Sequence, residues 1–329
     1  MIRTRSRIPL AAVLVAVLSA CTTQVAGSPV PVPNPTPVKP VPTAANLLGD
    51  LPSFDPCSLV EPADLAPHGT PAPAKPDSLD HCPFTVTTAS NAKLDVTVGL
   101  LDRLDSEGEI QAQYKPYRDL RIAVEREDPT RCARRVVFTD LVTLTVAVDN
   151  FGADKTSARE LCGIADHVVR LVADRVLDKE VGHRTFPARS LGRVDPCSSV
   201  SSATAAKVPG MTSPKVKPYP AAHQCRWSKD GSAQPPRLRV TYAVGVPTVP
   251  DGRTKTAEDV GGRPTTISKS SSSSLALCAA ETAHIPVDGG EGLHELAFVT
   301  VNLPTGSQVE DACAAAKAIA AEVWSHLPK

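Results

Sequence analysis

The chain has 329 residues, and its 35 lysines and arginines are balanced by 35 aspartates and glutamates, so its formal net charge is zero. Without a basic field there is little to attract nucleic acid, and aromatics at 4% give few platforms for stacked bases, so no nucleic-acid partner is expected. The length exceeds what one core usually serves and suggests two folded domains.

The first twenty residues read as an export signal, with Arg3, Arg5 and Arg7 preceding thirteen apolar residues, 8–20. That run is shorter than the roughly twenty residues that cross a bilayer as a helix. It ends in Leu18, Ser19, Ala20 and Cys21, which resembles the bacterial lipobox. The resemblance implies cleavage before Cys21 and acylation of that residue, hence a chain tethered by membrane lipid at the extracytoplasmic face of the cell membrane. Residues 21–46 read as a stalk, because residues 27–43 hold seven prolines and favour extended polyproline backbone.

Setting Cys21 aside, eight cysteines remain in two sets of four. Cys57, Cys82, Cys132 and Cys162 are followed by Cys197, Cys225, Cys278 and Cys313 at offsets of 140, 143, 146 and 151. The hexapeptide DPCSLV at the first set returns as DPCSSV at the second, and each second cysteine precedes an aromatic by two, Phe84 and Trp227. Two tandem copies of one unit explain this, a first domain over 47–184 and a second over 185–329. In an oxidising compartment four cysteines per unit form two disulfides. The shortest loops pair Cys57 with Cys82, Cys132 with Cys162, Cys197 with Cys225, and Cys278 with Cys313. Zinc is not expected, since no CxxC or CxxxC spacing occurs.

In chain order, residues 57–65 read as a short helix and 84–88 as a strand. Residues 94–100 follow as a strand with Leu94, Val96, Val98 and Leu100 on one face. Further strands are expected at 120–125, 133–138 and 141–148, with Thr139-Asp140-Leu141-Val142 as a tight link. A helix capped by Ser157 and Glu160 carries Leu161, Ala165, Val168, Val172 and Val176 on one stripe. In the second unit, strands are expected at 238–244, 263–269, 275–280 and 296–303. They precede a helix capped by Ser307 and Glu310, with Ala312, Ala316, Ile319, Val323 and Leu327 on its stripe. The fold class is α+β: each unit is an antiparallel sheet flanked by N- and C-terminal helices and stapled by two disulfides.

With these residues in view, each unit resembles a cysteine-rich domain of unknown function common in actinobacterial, mycobacterial-type lipoproteins. The pattern runs DPC, Cys with an aromatic two residues on, Gly-Arg-Pro, Cys, and a helix bearing the last Cys. The second unit carries it at Asp195-Pro196-Cys197, Cys225 and Trp227, Gly262-Arg263-Pro264, Cys278 and Cys313. The first has Phe84 in place of Trp, and Tyr117-Arg118-Asp119 stands where Gly-Arg-Pro would fall. A weaker likeness is to extracellular sensor domains of some mycobacterial receptor kinases. The resemblance implies no activity.

Motifs for chemistry are weak. His294 and Glu295 begin like a zincin motif but Phe298 stands where the second histidine belongs, and a place at a strand edge is expected instead. Residues 289–292 read as a hairpin turn rather than a phosphate loop, because an apolar run follows them. Residues 270–274 read as a polar loop, and Arg131, Arg134 and Arg135 as a solvated strand edge. Neither a catalytic residue nor a cofactor is assigned. Trp227 and Phe84 are the aromatics for a ligand pocket or for the core. The expected function is a non-catalytic binding or scaffold module for an envelope lipid, peptide or protein, with the groove between the two units as its expected seat. The alternative is an accessory or regulatory subunit of a membrane enzyme, transporter or kinase, and a hydrolase ranks last.

Overall fold

The computed structural model describes residues 41–109, 114–152, 156–272 and 275–329. Cys21, the signal at 1–20 and the first part of the stalk, 21–40, lie outside the described residues. None of the described helices is long and apolar enough to cross a membrane.

Helix α1 (Ala44–Leu48) opens the folded part, capped by Thr43, and buries Ala44 and Leu48 against the first core. The residues read as the end of the stalk, 44–46, therefore belong to the packed structure. Strand β1 (Phe54–Asp55) leads into a tight 3-10 turn at Pro56–Leu59, then helix α2 (Pro62–Leu65). The helix expected over 57–65 is thus broken, because Val60 is extended at φ −146°.

The first sheet is built from β2 (Thr70–Pro73), β3 (His81–Thr87), β4 (Lys93–Arg103), β5 (Tyr114–Tyr117), β6 (Leu120–Asp128), β7 (Arg131–Val137) and β8 (Val142–Asp149). Its order is β2-β3-β4-β8-β7-β6-β5, antiparallel throughout. Helix α3 (Ala158–Leu177) covers β6, β7 and β8 with the expected stripe, all of it buried, and Ser157 accepts from the Glu160 N–H as its cap. Val168, Val172 and Val176 each contribute about 1.5–3 kcal/mol by leaving water.

Strand β9 (Gly182–His183) pairs back with β1. The second sheet then follows from β10 (Lys215–Pro218), β11 (Gln224–Ser228), β12 (Arg237–Gly245), β13 (Lys255–Val260), β14 (Arg263–Ser271), β15 (Leu275–Pro286) and β16 (His294–Pro304). A one-turn helix, α4 (Ser202–Ala205), precedes it. Its order, β10-β11-β12-β16-β15-β14-β13, repeats that of the first sheet. Helix α5 (Val309–His326) packs on β13 to β16. The chain is mixed α+β, dominated by two antiparallel sheets.

The four disulfides join Cys57 to Cys82, Cys132 to Cys162, Cys197 to Cys225 and Cys278 to Cys313. In both halves the first bridge ties a capped turn to the sheet and the second ties the long helix to it. The repeated hexapeptide has a physical reason. Asp55 and Asp195 each accept from the N–H of the cysteine two residues on, at 3.1 and 2.8 Å, while Ser58 and Ser198 donate back to the aspartate carbonyls, both at 2.7 Å. Proline at the first turn position needs no donor and presets φ, so Asp-Pro-Cys-Ser fixes the cysteine pointing at the sheet.

Several local expectations change. Leu100 is not on the inward row: it sits in a bulge with φ +56°, and Leu101, 1% exposed, takes the core position. Gln308 rather than Ser307 is the N-cap of α5, without a side-chain hydrogen bond. Ser270 and Ser271 are part of β14, while 273–274 lie outside the described residues. The hairpin register places Arg118 and Asp119 as the two-residue turn between β5 and β6, matching Gly261 and Gly262 between β13 and β14, so the Gly-Arg-Pro correspondence shifts by two.

The arginines of β7 are not at a sheet edge, because β7 lies between β6 and β8. Arg134 is buried and binds Asp166 and Glu127, Arg131 binds Asp149, and Arg135 binds Glu125. His294 and Glu295 begin a central strand, and Glu295 is buried. The turn at 289–292 closes the β15–β16 hairpin, with positive φ at Gly289 and Gly292.

Candidate functional site

Residues from both halves meet around one contact. Gly99 has φ +130°, and a Cβ there would lie 2.4 Å from the Asp80 carbonyl oxygen, so only glycine lets the segment before β3 come this close. The Leu100 N–H donates to that same carbonyl at 2.6 Å, which aims the Asp80 side chain away from its own sheet. In the second half the Tyr242 N–H donates to the His223 carbonyl at 2.8 Å in the same manner. Asp80 and His223, each two residues before the second cysteine of its set, are brought face to face.

The Asp80 carboxylate, 4% exposed, lies 2.7 Å from His223 Nδ1 and accepts from Gln224 Nε2 at 2.6 Å. A buried carboxylate held by two donors is worth keeping intact, since loss of one partner strands the others in a low-dielectric site. Apolar residues cross over as well: Leu79 packs into the second core and Ala221 into the first. Phe186, on the segment joining the halves, meets the His223 ring edge-on at 5.7 Å.

Beside this contact opens a cleft of about 690 Å³. Its walls are apolar, with Leu79 and Phe84 from the first half, Phe186 from the joining segment, and Val244, Ile285 and Leu293 from the second. The Cys57–Cys82 bridge forms part of one side. Charge is confined to a few groups, most of them tied, with exposed Asp288 at the rim. Arg184 binds Asp55 at 3.0 Å and donates to the Leu79 carbonyl at 3.0 Å. Glu295 accepts from the Ser190 hydroxyl and, at 2.6 Å, from the Leu191 N–H. His81 lies 2.9 Å from Asp77, and this hydrogen bond holds the Asp77 carboxyl below its ordinary range. The volume suits a drug-sized or acyl-sized guest, and apolar walls with few polar anchors are what such guests need.

The two aromatics singled out by sequence part company. Phe84 lines the cleft while its ring packs in the first core, whereas Trp227 is 1% exposed within the second core and lines no part of the cleft. Trp324, in α5, is a second buried tryptophan and donates to Thr265 Oγ1 at 3.0 Å. Sequence reasoning missed Asp80, Gln224 and the wall formed by 184–187, where it placed only the boundary between the two domains. The signal available was positional: Asp80 and His223 occupy the same place in the repeat and carry complementary side chains.

Among the described residues, the metal-ligand types that come closest as a group are Glu127, Cys132 and Cys162. Both sulfurs are spent on a disulfide, so that trio has no thiolate to offer. Comparison with protein-family models, with curated proteins and with solved structures finds no match.

Proposed function

We propose that this chain is an exported lipoprotein, acylated at Cys21 and held at the outer face of a cell membrane, which binds an apolar envelope molecule in the cleft between two sibling domains. The domains divide near residue 185 and belong with the cysteine-rich actinobacterial lipoprotein domain that the sequence resembles. The observation that carries the binding role is the cleft itself, whose greasy walls are drawn from both halves and from the segment between them. Its carboxylates support binding rather than catalysis. Asp55 and Glu295 are both engaged by backbone N–H groups and neighbouring side chains, which commits their acceptor oxygens to structural contacts. A lipid acyl chain or an apolar peptide segment fits this surface.

The test is native mass spectrometry of the full chain extracted from its own membranes. A co-purifying apolar species, lost when Leu293→Glu places a charge in the wall, is the expected result. A full chain that carries no guest under conditions preserving noncovalent adducts, with identical spectra for the variant, would remove the proposal.

A further inference from the structure

A second feature lies away from the cleft, on the face of the second sheet opposite α5. Arg226 of β11 stands directly across from Arg239 of β12, and Arg237 lies two residues earlier on the same face, across from Asn302 of β16. Arg226 is 7% exposed. Its Nη2 donates to the Gly231 carbonyl, Arg237 Nη1 donates to the Ala233 carbonyl, and Arg239 lies over the Tyr219 ring at 5.9 Å. The Nε atoms of Arg226 and Arg239 are buried without a hydrogen-bond partner.

Three guanidinium groups thus share one patch, and among the described residues no carboxylate forms an ion pair with any of them. Nearby acids are committed elsewhere: Asp102 to Lys217 at 3.0 Å, and Asp230 to the Ser232 N–H. Crowding is expressed in Arg237, whose pKa is pushed down first by burial and then by Arg239 and Arg226. The same positions of the first sheet hold Asp95 for Arg237 and Asp149 for Asn302. Buried cations without a counter-charge are costly, and an oxyanion bound by forked N–H donors offsets that cost.

We propose that Arg226, Arg237 and Arg239 form an oxyanion site for a phosphate group, carried either by the free ion or by a lipid headgroup. A phosphate matches the patch better than a monovalent anion, because its two charges and several acceptor oxygens can engage more than one guanidinium. The site is separate from the cleft and does not depend on what the cleft holds.

The test is thermal unfolding of the full chain titrated with inorganic phosphate, ionic strength being held constant with chloride. A saturable rise in Tm is expected, with apparent affinity weakened at least about tenfold in Arg239→Gln and in Arg237→Gln. Arg118→Gln, an arginine paired with Asp174 and Asp178 in the first half, serves as a control and should leave phosphate affinity unchanged. A short-chain phosphatidic acid that binds tighter than phosphate assigns the headgroup as the source, and equal or weaker binding assigns the free ion. No saturable rise in the unaltered chain, or full affinity in Arg239→Gln with native circular dichroism, overturns the proposal.

Discussion

The two sheets share strand order, disulfide placement and the capped Asp-Pro-Cys-Ser turn, yet they distribute charge in different ways. In the first half Arg118, Arg121, Arg131, Arg134 and Arg135 each meet a carboxylate. In the second half Arg226 and Arg237 donate to backbone carbonyls and Arg239 rests on an aromatic ring. Apolar alternation and sulfur placement define the scaffold, because those positions bear the burial energy and the cross-links. Polar-face positions are free to change sign without disturbing it. Where the halves touch, that freedom is used productively: equivalent positions became Asp80 and His223 and now bind each other.

The comparison breaks most severely at that contact. Asp80→Ala should cost about 3–5 kcal/mol in denaturant unfolding, since it leaves His223 and Gln224 buried without their acceptor. A loss under 1 kcal/mol would mean the halves are held by apolar packing alone. Next come the helix-anchoring disulfides, whose loops of 30 and 35 residues are similar. Replacing Cys132 with Cys162, or Cys278 with Cys313, by serine pairs should cost about 3.5–4 kcal/mol in either half on the loop-entropy estimate. A marked asymmetry would show that one half leans on its bridge more than the other.

Smaller effects sharpen the picture. Asp55→Ala and Asp195→Ala each remove a cap, costing about 1 kcal/mol by the same measurement, with Asp55 the more sensitive because it also holds Arg184. His68 belongs to the first half only, its Nε2 lying 2.7 Å from His167 Nδ1. Burial, then His167, lowers its pKa, so the unfolded chain binds the proton more readily than the folded one. Its contribution to stability is present above the ordinary histidine value of about 6.5 and is lost as pH falls below it. The Tm of His68→Gln should therefore fall less steeply on acidification than that of the unaltered chain.

Which parts were legible follows from what sequence encodes locally. The sulfur count and spacing gave all four bridges, and strict alternation gave the inner strands, as in Leu94, Val96 and Val98 of β4. The outer strands were silent. β2, β5 and β10 are short, pair on one side only, and contain Pro71, Pro73, Pro116 and Pro218, residues that read as loop. β11 escaped for another reason: all five of its residues are buried, so its polar members break the alternation. The cleft was invisible because its walls come from segments more than a hundred residues apart. Phe186 in that wall also answers a nearer demand, since a Cβ at Gly192 would meet its ring at 2.5 Å.

The most direct measurement is photo-crosslinking of the full chain with a diazirine-bearing fatty acid, followed by peptide mapping. Labels concentrated on residues 184–187 and 285–293, and competed away by unlabelled fatty acid, are the expected result. Labelling spread over the surface, unaffected by the competitor and by Gly192→Ala, would contradict the assignment of the cleft as the binding site.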